Sequence, residues 1–113
     1  IHGMLVLSGV VGFANPNLDI QRIKAIKDAV GAVPLVLHGG SGIKNEDFLN
    51  AIDSGINIIH INTELRLAWR KAIEESLKNS EEMAPYKILP VVVEAIKQIV
   101  SKRLKLFNKV DYV

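Results

Sequence analysis

The sequence predicts an α/β fold built on a parallel sheet. Three short apolar segments, Met4–Leu7, Pro34–Leu37 and Ile56–Ile61, have the composition of buried strands. A segment with helical periodicity follows each of them, and the predicted order is β-α-β-α-β-α-α. Such alternation is typical of parallel sheets with right-handed crossovers, as in βα barrels and doubly wound sheets.

The first two helices are predicted from their termini. Asn17 or Asp19 can cap a helix that continues to about Val30, because both side chains can accept a hydrogen bond from the first turn. Asn45 can cap the second helix, whose first turn carries two acidic residues, and Gly55 ends it.

The last two helices are predicted over about Glu64 to Asn79 and about Pro90 to Leu106. A polar connection, residues 80–89, separates them and contains a further proline at position 85. The expected buried stripe of the final helix is Val93, Ile96, Val100 and Leu104.

Length and composition restrict the possible classes of protein. The chain has 113 residues, 49% of them hydrophobic and 23% charged, and begins with Ile. Three strands cannot close a barrel, so we expect further strands to precede Ile1. The absence of Cys excludes a disulfide scaffold and a thiolate nucleophile. The net charge of +2 is spread along the chain, and no apolar run approaches the about 20 residues of a spanning helix, so we expect neither a nucleic-acid partner nor a membrane segment.

A glycine-rich segment follows the second predicted strand. The strand ends at His38, two glycines follow, and Ser41 and the start of a helix come next. Glycines allow a ligand to approach the backbone closely, and helix N-termini favour anions, so the segment has the composition of a phosphate cradle. It is equally compatible with a tight βα turn whose glycines supply only the required dihedral angles.

Polar residues also follow the third predicted strand. His60 and Asn62 alternate and therefore share one face of the strand, and Thr63 comes at the start of the next helix. In βα barrels phosphate commonly binds between the loops after the last two strands. The alternative is that Asn62 or Thr63 is only a helix cap.

His38 is a candidate metal ligand. Zinc needs three or four ligands, and the only other imidazoles are those of His2 and His60. His60 lies one strand away from His38 and could approach it. The alternative is a structural histidine that follows an apolar strand.

Several segments together resemble the class II, zinc-dependent fructose-bisphosphate aldolases. They are residues 35–47, 61–66, 84–87 and 15–19, so the resemblance extends over almost the whole chain. Tagatose-bisphosphate aldolases share these motifs, and the sugar is therefore not fixed by them.

The resemblance implies a fold and an activity. The family fold is a (β/α)8 TIM barrel, of which residues 1–113 would be the last three βα units and the C-terminal helices, a single partial domain. The implied reaction is the zinc-dependent, reversible cleavage of a phosphorylated ketose to dihydroxyacetone phosphate and an aldehyde. Such lyases act in glycolysis, so a cytoplasmic location and a homo-oligomeric full-length protein are expected.

The resemblance also assigns residues. His38 matches a zinc-binding histidine of the family. A monovalent cation lies close to the family's phosphate site in addition to zinc. The positions that match this phosphate site are Gly12, Gly39, Ser41, Asn62 and Thr63.

Two residues depart from the family pattern. Val11 stands where the family usually has a second zinc-binding histidine, and a valine cannot coordinate a metal. His60 stands where the family usually has an asparagine that contacts the enediolate, so it is the candidate catalytic residue. The third zinc ligand, the catalytic aspartate and the proton-transferring glutamate match nothing in this chain. We therefore expect the isolated chain to be inactive. The alternative is a degenerate βα module that binds phosphate or self-associates without catalysis.

Overall fold

The computed structural model describes residues 17–110, which form a mixed α/β structure. The chain divides into two compact units, Ile1–Asn62 and Thr63–Val113. The predicted order of elements is confirmed for the described residues, whereas the predicted strand Met4–Leu7 and the positions Val11 and Gly12 lie outside them. The elements are α1 (Ile20–Val30), β1 (Leu35–Leu37), α2 (Asn45–Asp53), β2 (Ile56–Ile59), α3 (Thr63–Lys78) and α4 (Pro85–Phe107). Within this part of the chain no helix is long and apolar enough to cross a membrane.

The sheet of the first unit consists, in the described part, of β1 and β2 in parallel pairing. Leu37 lies opposite Ile59, but the register shifts between Leu35 and Val36. At this irregularity the backbone N–H of Leu35 donates to the side-chain oxygen of Asn57 at 3.1 Å, so a side chain replaces a backbone acceptor. Because the strands are parallel, the residues that follow them emerge at the same edge of the sheet.

The caps of α1 and α2 differ in kind. Asp19 caps α1, since its side chain accepts from the backbone N–H of Arg22 at 2.9 Å. The prediction that Asn45 caps α2 is wrong, because Lys44 occupies the N-cap position, makes no side-chain cap bond, and Asn45 is already helical. A side-chain cap contributes only about 1 kcal/mol, so the path of the preceding loop can decide where a helix begins.

The core of the first unit packs around Phe48 of α2 and Leu37 of β1, both with 0% exposure. Gly40 lies against this core. A Cβ atom there would come within 3.1 Å of the carbonyl oxygen of His60, 3.3 Å of the Phe48 ring and 3.4 Å of the Ile59 side chain. Close packing therefore favours glycine at this position.

The second unit begins its last helix earlier than the sequence predicts, at Pro85 instead of Pro90. The carboxylate of Glu82 accepts from the backbone N–H groups of Met83 and Ala84, both at 3.1 Å, and pairs with Lys87 at 2.9 Å. The Lys87 ammonium and then the Ala84 amide hold the pKa of Glu82 below its usual value. These contacts organise the start of α4. Pro90, inside the helix, removes only one backbone donor, in a solvent-exposed turn.

The predicted buried stripe of α4 is also wrong in most positions. Val93 is 61% exposed and Leu104 is 56% exposed, whereas Val92 and Leu106 are buried. Apolar residues occur on several sides of α4, so periodicity did not single out one face. Packing against α3 selected the buried face.

A bidentate ion pair joins α3 to α4. Arg103 donates from Nε and from Nη2 to the two carboxylate oxygens of Glu64, both at 2.7 Å. The two side chains are only 16% and 19% exposed. Paired planar geometry and partial burial make this the kind of ion pair that contributes to stability.

We expect Arg103→Gln to lower the free energy of unfolding by about 1–3 kcal/mol, because it leaves a partly buried carboxylate without its charged partner. Urea denaturation followed by circular dichroism measures the loss. Arg70→Gln is the matched control, since Arg70 pairs with Glu74 at an exposed position, and it should change stability by less than about 0.5 kcal/mol. Equal effects of the two substitutions would contradict the structural role of Arg103.

We expect Gly40→Ala to destabilise the protein by about 1–3 kcal/mol through overpacking, because the added methyl meets a backbone carbonyl and a fully buried ring. The same urea measurement applies. Ala32→Val adds carbon atoms at an exposed position and should be neutral within about 0.5 kcal/mol. Wild-type stability of Gly40→Ala would show that this contact is not tight.

Candidate functional site

Two histidines meet at the carboxyl edge of the sheet. His38 directly follows β1 and His60 directly follows β2. Their Nδ1 atoms are 3.1 Å apart, and the rings are 75° from coplanar with centroids 4.7 Å apart. The prediction that His60 could approach His38 is confirmed. Each Nδ1 is a donor or an acceptor according to its tautomer, so a direct hydrogen bond requires that one Nδ1 carries the proton and the other does not.

The backbone of His60 is fixed on both sides by the chain that continues β1. The N–H of His60 donates to the carbonyl of Leu37 at 2.9 Å, and the N–H of Gly40 donates to the carbonyl of His60 at 3.1 Å. These bonds extend the parallel ladder beyond the regular strands. They hold the Cα atoms of the two histidines in register, so the side chains need little rearrangement to meet.

The glycine-rich loop after His38 has the left-handed backbone that glycine favours. Gly39 has φ 63° and Gly42 has φ 83°. Between them, Ser41 is only 2% exposed, and the N–H of Ile43 closes a turn on the carbonyl of Gly40 at 3.3 Å. The turn requirement accounts for two of the glycines, and the close contacts of Gly40 account for the third.

The second candidate loop follows β2. Asn62 is exposed and directly precedes α3. Thr63 is the first residue of α3 and opens the second unit, so it is not the residue that caps the helix. Parallel pairing places the segment from His38 to Gly42 and the segment from His60 to Asn62 at one edge of the sheet. Gly12, the remaining predicted phosphate residue, lies outside the described residues.

Two imidazoles are the candidate metal ligands at this edge of the sheet. Among residues 17–110, no group of three or more His, Cys, Asp or Glu side chains is placed to hold a metal. Tetrahedral zinc with Zn–N bonds of about 2.0–2.1 Å separates two nitrogen ligands by about 3.3 Å. The 3.1 Å separation of the two Nδ1 atoms is close to that value. The same distance is that of a direct hydrogen bond, and among the described residues His38 and His60 supply at most two of the three or four ligands that zinc needs.

No sequence signal pointed to the backbone clamp on His60, the two hydrogen bonds to Leu37 and from Gly40. The strand register is a tertiary property, and the register shift beside Asn57 could not be read from apolar periodicity. The proximity of the two imidazoles was predictable only as a possibility, from their positions at the ends of neighbouring strands.

Comparison with known proteins identifies the family. The model of the family described as fructose-bisphosphate aldolase class-II matches residues 1–112. The fructose-bisphosphate aldolase of Ureaplasma parvum is 37% identical over 101 residues, which are 84% of this chain and 34% of that protein. The fructose-bisphosphate aldolase of Staphylococcus aureus strain Mu50 is 40% identical over 94 residues, 82% of this chain and 32% of that protein.

A solved structure gives the same result. The crystal structure of the YdjI aldolase from Escherichia coli K12 superposes with a TM-score of 0.71 at 38% sequence identity, covering 81% of this chain and 34% of that chain. The chain thus spans about a third of the length of the curated relatives that it matches. With a family match over almost every residue and agreement in both sequence and fold, the chain belongs to the class II fructose-bisphosphate aldolase family.

Proposed function

We propose that residues 1–113 are the C-terminal portion of a class II ketose-bisphosphate aldolase, a single partial domain. It would contribute the last three βα units and the C-terminal helices of a (β/α)8 barrel. The parallel pairing of β1 and β2, the alternating order of elements and the match to about a third of each relative support this assignment.

The reaction that we propose for the complete barrel is the reversible cleavage of a phosphorylated ketose to dihydroxyacetone phosphate and an aldehyde. His38 would be one of the residues that hold zinc, and zinc, when bound, supplies a Lewis acid that polarises the ketone of the substrate. The imidazole nitrogens at the edge of the sheet are donors that zinc accepts readily. The motifs do not separate fructose from tagatose bisphosphate.

The phosphate of the substrate would bind to the two loops at this edge, with a monovalent cation nearby. Gly39 and Ser41 would supply one half of the site, and Asn62 and Thr63 the other, with Gly12 near the same ligand. The observation that carries the proposal is the parallel pairing, because it brings both loops to one edge. Holding the phosphate there positions the reacting carbons, and such positioning can lower a barrier by several kcal/mol.

His60 lies at the proposed substrate-contacting position. It is the only residue of this chain for which we propose a catalytic role. Its exposed ring and clamped backbone suit a contact with a substrate oxygen. When Nδ1 engages His38, Nε2 is the ring atom left for the substrate.

A second candidate function is a non-catalytic βα module that binds phosphate or associates with itself. Two features agree with it, of which the second, the exposed apolar side chains, agrees equally with the aldolase assignment. Val11 and His60 alter the site and leave the scaffold in place, and large apolar side chains are exposed on both units. Ile58 of β2 is 44% exposed, and Val91 and Val93 of α4 are 58% and 61% exposed. A covering surface from the rest of a barrel, or from a second copy in a homo-oligomer, would bury such residues.

The aldolase assignment predicts an active chimera. In this chimera, the present chain replaces the matching C-terminal third of the Staphylococcus aureus aldolase. We expect zinc-dependent cleavage of fructose 1,6-bisphosphate, measured by a coupled assay, at a rate below that of the parent. Adding His38→Ala should reduce this rate at least about 100-fold, because a zinc ligand is lost.

The isolated chain is the baseline for this assay and should show no measurable cleavage, since the described residues supply at most two zinc ligands. Robust cleavage by the isolated chain would disprove its inactivity. A folded but inactive chimera, together with phosphate binding or concentration-dependent dimers of the isolated chain, would favour the non-catalytic module.

The proposed phosphate site predicts that a negative charge at position 62 weakens phosphate binding. We expect dihydroxyacetone phosphate to bind the chain weakly, and Asn62→Asp to weaken this binding about tenfold or more, because a carboxylate repels the phosphoryl oxygens. Chemical-shift titration by NMR measures both affinities. Asn79→Asp makes the same change at an exposed residue just after α3 and should leave the affinity unchanged. Equal losses in both variants would indicate a general effect of net charge and no site at Asn62.

A further inference from the structure

We propose that His60 is a metal ligand, and that His38 and His60 form a two-imidazole site for a divalent ion of the zinc type through their Nδ1 atoms. The inference rests on the proposed function for the choice of zinc and for the role of His38. The ligand role of His60 rests on the geometry of this chain.

The first argument is the separation of the donors. Two Nδ1 atoms at 3.1 Å are close to the about 3.3 Å between neighbouring nitrogen ligands of tetrahedral zinc. The ion would enter between them after a small outward movement of one ring and a change of tautomer, in which the proton of the hydrogen-bonded Nδ1 is released to water and Nε2 of that ring takes one up. Imidazole nitrogens are the donors that zinc, cobalt and nickel share, so the pair suits this class of metal.

The second argument is the direction of the rings. In a head-on hydrogen bond between two Nδ1 atoms, the centroid separation exceeds the nitrogen separation by two ring radii. Here the centroids are 4.7 Å apart and the nitrogens 3.1 Å apart, and the difference is smaller than that. At least one ring is thus turned off the line that joins the nitrogens, and this arrangement is compatible with an ion that lies off that line.

The third argument is preorganisation. The backbone of His60 is held by two hydrogen bonds, one to the carbonyl of Leu37 and one from the N–H of Gly40, and both partners lie within two residues of His38. The backbone geometry that brings the imidazoles together is therefore set by the sheet. The backbone part of the entropic cost of assembling the pair is therefore met in folding.

The consequence for chemistry concerns the second ring nitrogen. A histidine that binds a metal through Nδ1 carries its proton on Nε2 and presents an N–H donor there. His60 would then bind the ion on one side and donate to a substrate oxygen on the other. A single side chain would link the metal to the substrate.

Metal titration of the complete 113-residue chain tests the inference. Co²⁺ alone is followed by its visible absorption, and Zn²⁺ alone by competition with a chromophoric chelator. We expect His38→Asn and His60→Asn each to weaken both affinities at least about tenfold, and the double variant to be little worse than either, because the imidazoles act as a pair. His2→Asn is the matched control, since it removes the third imidazole of the chain, and it should bind as the wild type does. His60→Gln repeats the test with a longer amide, and circular dichroism verifies folding of every variant.

Long-range ¹H–¹⁵N spectra of the ring nitrogens supply a readout independent of affinity. We expect Zn²⁺ to shift Nδ1 of both His38 and His60 and to leave Nε2 of each protonated. If His38→Asn abolishes binding while His60→Asn binds as the wild type does, the ligand role of His60 is disproved and the zinc role of His38 stands. If the wild-type chain binds neither ion, the two-imidazole site is disproved, and the zinc role of His38 in this chain also loses its support. If His2→Asn alone abolishes binding, the two-imidazole site is likewise disproved.

Discussion

The candidate site depends on the extension of the parallel ladder past the ends of β1 and β2. Two backbone hydrogen bonds, from His60 to Leu37 and from Gly40 to His60, join segments that are no longer regular strands. They bring the two imidazoles together and place the glycine-rich loop beside the loop that precedes α3. Gly40 makes this join possible, because a larger residue would meet the carbonyl of His60 and the ring of Phe48. The close packing at Gly40 therefore constrains both the core and the geometry of the candidate site.

Val11 and His60 are the two positions at which the resemblance to the family implies a different residue. The chain lacks an imidazole at Val11 and has an additional one at His60. In our proposal His60 supplies an imidazole in place of the one that the resemblance implies at position 11.

The second unit is stabilised in a different way. Its two helices are joined by the Glu64–Arg103 pair and by a narrow buried face that includes Val92 and Leu106. Several larger apolar side chains of the same helices remain exposed. Apolar periodicity selected the wrong stripe of α4, because a helix that is apolar on several sides is compatible with more than one partner surface. Similarly, the polar connection before α4 is helical from Pro85 because Glu82 is organised by neighbouring amides and Lys87, contacts that composition does not reveal.

The amino-acid sequence alone determined the order of the described elements, the end of α1 at Gly31 with its start at Asn17 or Asp19, and the family, since these follow from local periodicity, capping residues and contiguous motifs. It also determined that His38 and His60 follow neighbouring strands. Only the tertiary structure decided the register of β1 against β2, the clamp on His60, the 3.1 Å approach of the imidazoles and the buried face of α4. The physical reason is that each of these is set by contacts between residues far apart in the chain, where many pairings are locally equivalent and the packed core selects one.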